Sequence, residues 1–284
     1  MPERWSHAGA TSDVAFVPFA LPYKVVPDDL RIEVRLTPSI ATSIFEGAGA
    51  LIGYPYGCVE QTMSKTLPNA VIDRLQDATG VVPPSALADL PAYMDVGIQK
   101  LYGFQHGDGS WGWWSGGQNL YLSAYVMQGL SIAREAGFAI DLGVLDRGLA
   151  YLARSAPSHP EPRMRAYAAF AMAEAGRSDA ALLQSVFDAR GQLDAFTLAA
   201  LAMALDAAGR RDQATLVLDT VVARAADTPS GAHWTMDRAN QWGSWSWQSM
   251  ASDETSTAMA LLALARLRPE HPLGPKAVSW LLER

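Results

Sequence analysis

Basic residues are in short supply, cysteine is reduced to one, and long apolar runs are missing; each shortage closes a line of function. With 22 Lys+Arg against 29 Asp+Glu the formal charge is −7, so nothing favours a phosphate backbone and nucleic acid is not an expected partner. The single cysteine, Cys58, allows neither an intrachain disulfide nor an all-cysteine metal site. No cofactor and no metal is implied by any other motif. The longest apolar stretches, such as Phe196 to Leu205, fall far short of the ~18–20 residues that cross a bilayer, so no membrane span is expected. The opening residues MPERWSHAGATSD have no apolar signal core, and the chain is read as carrying no secretory signal of its own. Charged residues make up only 18% and hydrophobic ones 49%, which describes a folded chain with a sizeable core. Its 284 residues suit one large domain, or one and a part of another.

Two regimes of hydropathy follow one another. Within residues 1–40, short β-type runs are broken by Pro18, Pro22 and Pro27, and LRIEVRL at 30–36 alternates with period two, the pattern of a half-buried strand. From Ile40 onward the period is helical. About eleven helices are expected: Ala41–Ile52, Cys58–Gln76, Pro84–Phe104, Asn119–Ala136, Leu142–Ser155, Pro162–Ala175, Asp179–Ala189, Ala195–Ala208, Asp212–Ala225, Glu254–Leu267 and Pro275–Arg284. Asp141, Ser178 and Asp194 stand where N-caps are wanted, and Gly137, Gly176 and Gly209 where helices stop. Short connections and alanine-rich stripes point to stacked antiparallel pairs, an all-α fold of helical hairpins. The expected division is a β segment of an adjoining domain at 1–40 and one helical domain at 41–284.

An internal repeat agrees. A fixed offset lays Gly109, Ser110, Trp111 and Trp113 on Gly243, Ser244, Trp245 and Trp247, and continues with Ala124, Leu130 and Arg134 on Ala258, Leu264 and Arg268. A G-S-W-x-W loop followed by a helix has been used twice. The indoles either pin loop ends onto a neighbouring hairpin through their N–H groups or form an aromatic ligand surface, for which Trp234 to Trp247 offers the richest segment.

The chemistry is concentrated in GYPYGCVEQTMSKTLPN, residues 53–69. Pro55 and Gly57 make a tight turn, Cys58 opens a helix, and Gln61 lies three residues on, on the same face. A thiolate at a helix N-terminus is stabilised by free amides and the dipole. Its nearest electrophile is the Gln61 side-chain carbonyl, and attack with loss of ammonia closes an internal thioester, an acyl group stored until an outside nucleophile takes it. A lone cysteine is often only a small buried hydrophobe. Against that, chance occurrence of G-C-x-E-Q in a chain of this length is on the order of one in a thousand.

GYPYGCVEQTM resembles the thioester motif of the alpha-2-macroglobulin and complement superfamily, its bacterial members nearest in form. TPSIATSIFEGAGALIGYPYGCVEQTMSKTLPNAV and KLYGFQHGDGSWGWWSGGQNLYLSAYVMQGLSIAREAGF extend the resemblance, which covers about 37–284. It implies an α/α toroid of about six helical hairpins that continues past WLLER, so that a ring incomplete at its C-terminus is expected. It further implies an endopeptidase inhibitor, not a turnover enzyme, which captures attacking proteases covalently by acylating their lysine amines. Cys58 would donate the thiol and Gln61 the acyl group. Glu60 and Gly57 complete the motif, with Glu60 orienting the turn or favouring the helix start, and Tyr54, Tyr56 and Met63 would wall the thioester from water. His159 and His106 are the candidates for a histidine that assists acyl transfer; without one, direct aminolysis is expected. Neighbouring β-sandwich domains and a periplasmic location are implied by resemblance alone.

Three other readings compete. A terpene-cyclase-like α/α-barrel enzyme shares Trp-rich turns such as QWGSW at 241–245, but neither D-x-D-D nor D-D-x-x-D occurs. A Cys/His hydrolase would use Cys58 with turnover. A noncatalytic α-helical binding module would be indifferent to Cys58→Ala.

Overall fold

A computed structural model of the chain describes residues 51–79, 87–228, 231–236 and 252–283. The strand expected at 30–36, the division near residue 40, the helix 41–52 up to its last two residues and most of the Trp234–Trp247 segment lie outside these residues. The rest is helical: α1 (Val59–Thr79), α2 (Leu90–Phe104), α3 (Leu120–Glu135), α4 (Leu142–Ser155), α5 (Pro162–Glu174), α6 (Ala180–Asp188), α7 (Ala195–Ala207), α8 (Arg211–Ala223), α9 (Asp253–Leu267) and α10 (Leu273–Leu282). The sequence did not suggest the small antiparallel hairpin of β1 (Ala226–Thr228) and β2 (Gly231–His233), which packs against α10.

Helix starts follow local chemistry. The carboxylates of Asp141 and Asp194 accept the backbone N–H of Gly143 and Thr197, as the caps required. Ahead of α6 the cap is Asp179, which takes the N–H groups of Ala181 and Leu182; the expected Ser178 lies one residue too early. Ser252 and Thr255 form a reciprocal capping box at α9, satisfying two otherwise free amides. Gly137, Gly176 and Gly209 all take positive φ just beyond helix ends, where a Cβ would be strained.

Packing sorts the helices into two layers. The odd-numbered ones pack in succession, α1 on α3, α3 on α5, α5 on α7 and α7 on α9, while α1 also packs on α2, α7 on α8 and α9 on α10. This is the hairpin order of an α/α toroid, five hairpins of which fall among the described residues. The inner α7 is the most fully covered: its run Thr197 to Leu205 is buried without a break, so its hydropathy loses the one-sided period of a surface helix. Outer α4 keeps that period and buries only Val144, Leu145, Gly148, Leu149, Tyr151 and Leu152. Alanines at 199, 200, 202 and 204 in α7, and at 166, 168, 169 and 171 in α5, keep the inner axes close. Because each inner helix is separated from the next by a returning outer one, the N-termini of α1, α3, α5, α7 and α9 share one end of the ring.

The repeat has a structural basis that differs in detail from the sequence alignment. The Trp111 indole N–H donates to the carbonyl of Leu101 at 2.8 Å, and its backbone N–H to the Ser123 hydroxyl at 2.9 Å. Trp234 does the same with Val221 O at 2.6 Å and the Thr257 hydroxyl at 3.0 Å. Both side chains are fully buried. Ser123 and Thr257 obey the offset read from the sequence, but the counterpart of Trp111 in this hydrogen-bond frame is Trp234. Trp245, which the alignment paired with it, lies outside the described residues. For these two indoles the pinning role holds.

Candidate functional site

Cys58 is the last residue before α1, and its carbonyl accepts the Thr62 N–H at 2.8 Å, the first bond of the helix. The Gln61 side chain turns back over the helix end so that its Oε1 accepts the Cys58 backbone N–H at 3.1 Å. This is half of a capping box, the third helical residue reaching back to the cap. It places the Gln61 carboxamide beside the residue that carries the thiol, and gives the carboxamide oxygen a backbone donor. Cys58 is buried at 6% exposure, while Gln61 is exposed.

Gly57 permits this arrangement twice over. Its φ is +89°, and a Cβ there would meet the Gln61 side chain, with Cδ at 2.8 Å. A left-handed backbone and a vacant Cβ site are both needed, and only glycine supplies them cheaply. The loop before it is tied down both from elsewhere and within itself. Lys100 Nζ of α2 donates to Pro55 O at 2.8 Å, Asn69 Nδ2 to Gly53 O at 3.3 Å, and Tyr56 N–H to Tyr54 O at 3.0 Å. The first amide of α1 is used as well: Val59 N–H donates to Trp113 O at 3.1 Å, which fastens the 105–119 loop to the Cys58 turn.

The remaining motif residues separate by direction. Glu60 Oε1 accepts the hydroxyl of Ser64, one turn on in α1, at 2.6 Å, and Ser64 Oγ lies 3.3 Å from Tyr125 Oη of α3. Beyond it stand stacked phenols, Tyr121 on Tyr125 at 6.2 Å and Tyr121 on Tyr167 at 5.1 Å. Burial pushes the hydroxyls of Tyr121, Tyr125 and Tyr167 above the ordinary phenol range; the Glu60 charge adds to this at Tyr121 and Tyr125, while the Ser64 hydrogen bond opposes it at Tyr125.

The expected walls stand differently. Met63 is fully buried against Gly129 of α3, with Sδ 2.7 Å from where a Cβ on that glycine would be. It follows Gln61 by two positions and so points to another side of the helix, docking α1 rather than covering the carboxamide. Tyr54 and Tyr56 pack ring on ring at 4.2 Å, but are 38% and 72% exposed; their rings lie at the surface.

Neither histidine hydrogen-bonds to Cys58 or Gln61. His106 Nδ1 is 3.1 Å from Ser110 Oγ, within the loop that seats Trp111. His159 accepts the Glu161 N–H at 3.2 Å in the turn before α5, with α3 standing between that helix and α1. Sequence reasoning missed Lys100 and Trp113. Both act through long-range contacts to backbone carbonyls or amides, for which no local pattern exists.

Residues 32–159 match the family model described as the A-macroglobulin TED domain. An alpha-2-macroglobulin of Thermotoga maritima is 38% identical over 129 residues, 44% of this chain and 8% of the relative. Among solved structures, Salmonella alpha-2-macroglobulin reacted with methylamine superimposes with a TM-score of 0.67 at 23% identity, over 87% of this chain and 16% of that one. Escherichia coli alpha-2-macroglobulin activated by porcine elastase gives 0.68 at 22% identity, over 85% and 22%. The chain thus spans a small part of the proteins it matches. Its likeness to the thioester domain of bacterial alpha-2-macroglobulins stands, in sequence over residues 32–159 and in fold over most of its length.

Proposed function

We propose that Cys58 and Gln61 close an internal thioester and that this domain serves a protease trap, acylating amines of an attacking protease. The observation that carries the reading is the Cys58 N–H to Gln61 Oε1 bond across Gly57. When Cys58 Sγ attacks Gln61 Cδ, negative charge develops on Oε1, where a backbone donor already stands. Collapse expels ammonia and leaves the acyl group on sulfur. An incoming neutral amine attacks the same carbon: it bonds to Cδ, the C–S bond breaks, the surplus amine proton passes to the sulfur, and the Cys58 thiol is released beside the start of α1. No histidine is needed for an amine nucleophile, in keeping with the placement of His106 and His159.

Three features of the reading lie beyond the pair. A boundary near residue 40 would join the helical domain to neighbouring β-sandwich domains, and with Gln61, Tyr54 and Tyr56 exposed, such a neighbour is the natural cover for the acyl carbon. The partners would be proteases approaching with lysine side chains. The place of action would be the periplasm, as the bacterial resemblance implies; among the described residues no helix is long and apolar enough to cross a membrane.

Intact mass of the unreduced protein, with thiol titration before and after methylamine, tests the chemistry. The expected result is a mass short by one ammonia, no titratable thiol, and one thiol released as methylamine is incorporated. Full sequence mass with an immediately titratable thiol would overturn it.

A further inference from the structure

One amine of this chain shares the Gln61 face of α1. Lys65 follows Gln61 by four residues, the spacing at which helix side chains are neighbours, about 5–6 Å apart at Cβ. Helix side chains lean toward the N-terminus, so Lys65 leans toward Gln61. Its stem lies along the loop that leads to Cys58: Cδ and Nζ are each 3.4 Å from the Cβ position of Gly53. Lys100, the other amine on this loop, is committed to the Pro55 carbonyl. Among the described residues Lys65 makes no hydrogen bond or ion pair, and its four-carbon stem can leave Gly53 by simple rotation. Gln61 is itself exposed, so its carboxamide is open to an approaching amine among the described residues.

We propose that Lys65 is an internal acceptor for the stored acyl group, so that a thioester left uncaptured ends as a Gln61–Lys65 isopeptide. The inference rests on the thioester reading above. The Lys65 ammonium first yields a proton to solvent. Its neutral nitrogen attacks Gln61 Cδ, the N–C bond forms, the C–S bond breaks, and the surplus amine proton ends on the Cys58 thiol. No oxidant and no further reactant enters. Proximity makes the step unimolecular, which is the advantage that lets it outrun a dilute external amine. The device would discharge the domain without leaving a reactive ester, and would cross-link one turn of α1 beside the loop it holds.

Mass, thiol content and the position of the loss together separate this from the other fates, and a loss located on any other amine overturns it. The intact chain is incubated without added amine, and mass, titratable thiol and a tryptic digest are followed. The expected product is short by one ammonia yet has one titratable thiol, with the loss located between Gln61 and Lys65 and tryptic cleavage after Lys65 abolished. The Lys65→Arg variant, which keeps the charge and removes the acceptor, should instead decay to a Glu at position 61 with normal digestion elsewhere. A wild-type mass short by one ammonia with the thiol still masked at the end of incubation overturns self-transfer and leaves the thioester reading standing. So does wild-type decay to Glu at 61. Full mass with a free thiol overturns the thioester reading and this inference with it.

Discussion

At the scale of single residues, Cys58 stands where helix chemistry wants something else. The position before α1 is an N-cap, at which serine, threonine, aspartate or asparagine accept a free amide, and the back-turned Gln61 already supplies the other half of a capping box. Replacing Cys58 by serine completes S-x-x-Q. Compared with Cys58→Ala, Cys58→Ser is expected to be more stable by about 1 kcal/mol in urea unfolding, and Gln61→Ala should remove part of that gain. Equal stability of the two variants would mean that the turn is held by Lys100 and Trp113 without help from the cap. The turn was legible in the sequence because its parts are local: a glycine, a cysteine and a glutamine three apart can be placed from helix geometry alone. Its supports were not, since Lys100 and Trp113 act through backbone groups far away in the chain, and a carbonyl partner leaves no mark on sequence. The directions of Met63, Tyr54 and Tyr56 were hidden for a related reason: membership of a motif does not say which side of the helix or loop a side chain takes.

At the scale of elements, hairpin order was readable because punctuation is chemical. Among the described helices, glycines with positive φ follow α3, α5 and α7 and carboxylates cap α4, α5, α6 and α7, and Ser178 erred by a single position. Repetition was harder. Sequence alignment rewards identical letters and so pairs Trp111 with Trp245, which lies outside the described residues, while among those described Trp234 repeats the hydrogen-bond frame of Trp111. The frame predicts costs of the same sign. Trp111→Phe and Trp234→Phe each keep most of the buried ring but take the indole donor from Leu101 O or Val221 O; Val221 O keeps the Arg224 N–H at 3.1 Å, so stability should fall by about 1–3 kcal/mol for Trp111→Phe and by about 1 kcal/mol for Trp234→Phe, with little change in helix content. Chemical denaturation of the two variants tests this; a large loss for Trp111 and none for Trp234 would show that only the first loop is pinned through its indole. Trp111→Phe should also slow thioester formation, because the loop it seats carries the Trp113 carbonyl that holds the Val59 N–H. Trp234→Phe, in a different hairpin, should not.

At the scale of the whole molecule, one layer of aromatic side chains crosses the inner ring beneath the reactive end. It runs from Glu60 and Ser64 on α1 through Tyr125 and Tyr121 on α3 to Tyr167 on α5 and Phe196 on α7, the last pair at 5.7 Å. Tyr167 ties the layer to α3 again by donating to Gln128 Oε1 at 2.6 Å. Because burial raises these phenols in the folded state, the folded chain holds their protons more tightly than the unfolded chain does. The stability this represents is fully present below the unfolded phenol value of about 10 and is lost as pH rises through the higher folded values. Urea midpoints should therefore hold level at neutral pH and fall once pH passes about 10, with tyrosinate absorbance from the layer appearing together with unfolding and not before it. Tyr167→Phe removes one of the three phenols and should make the alkaline fall shallower, at the cost of the Gln128 bond at neutral pH. Tyrosinate absorbance that grew to the full count while the helices remained intact would mean that the layer is open to solvent.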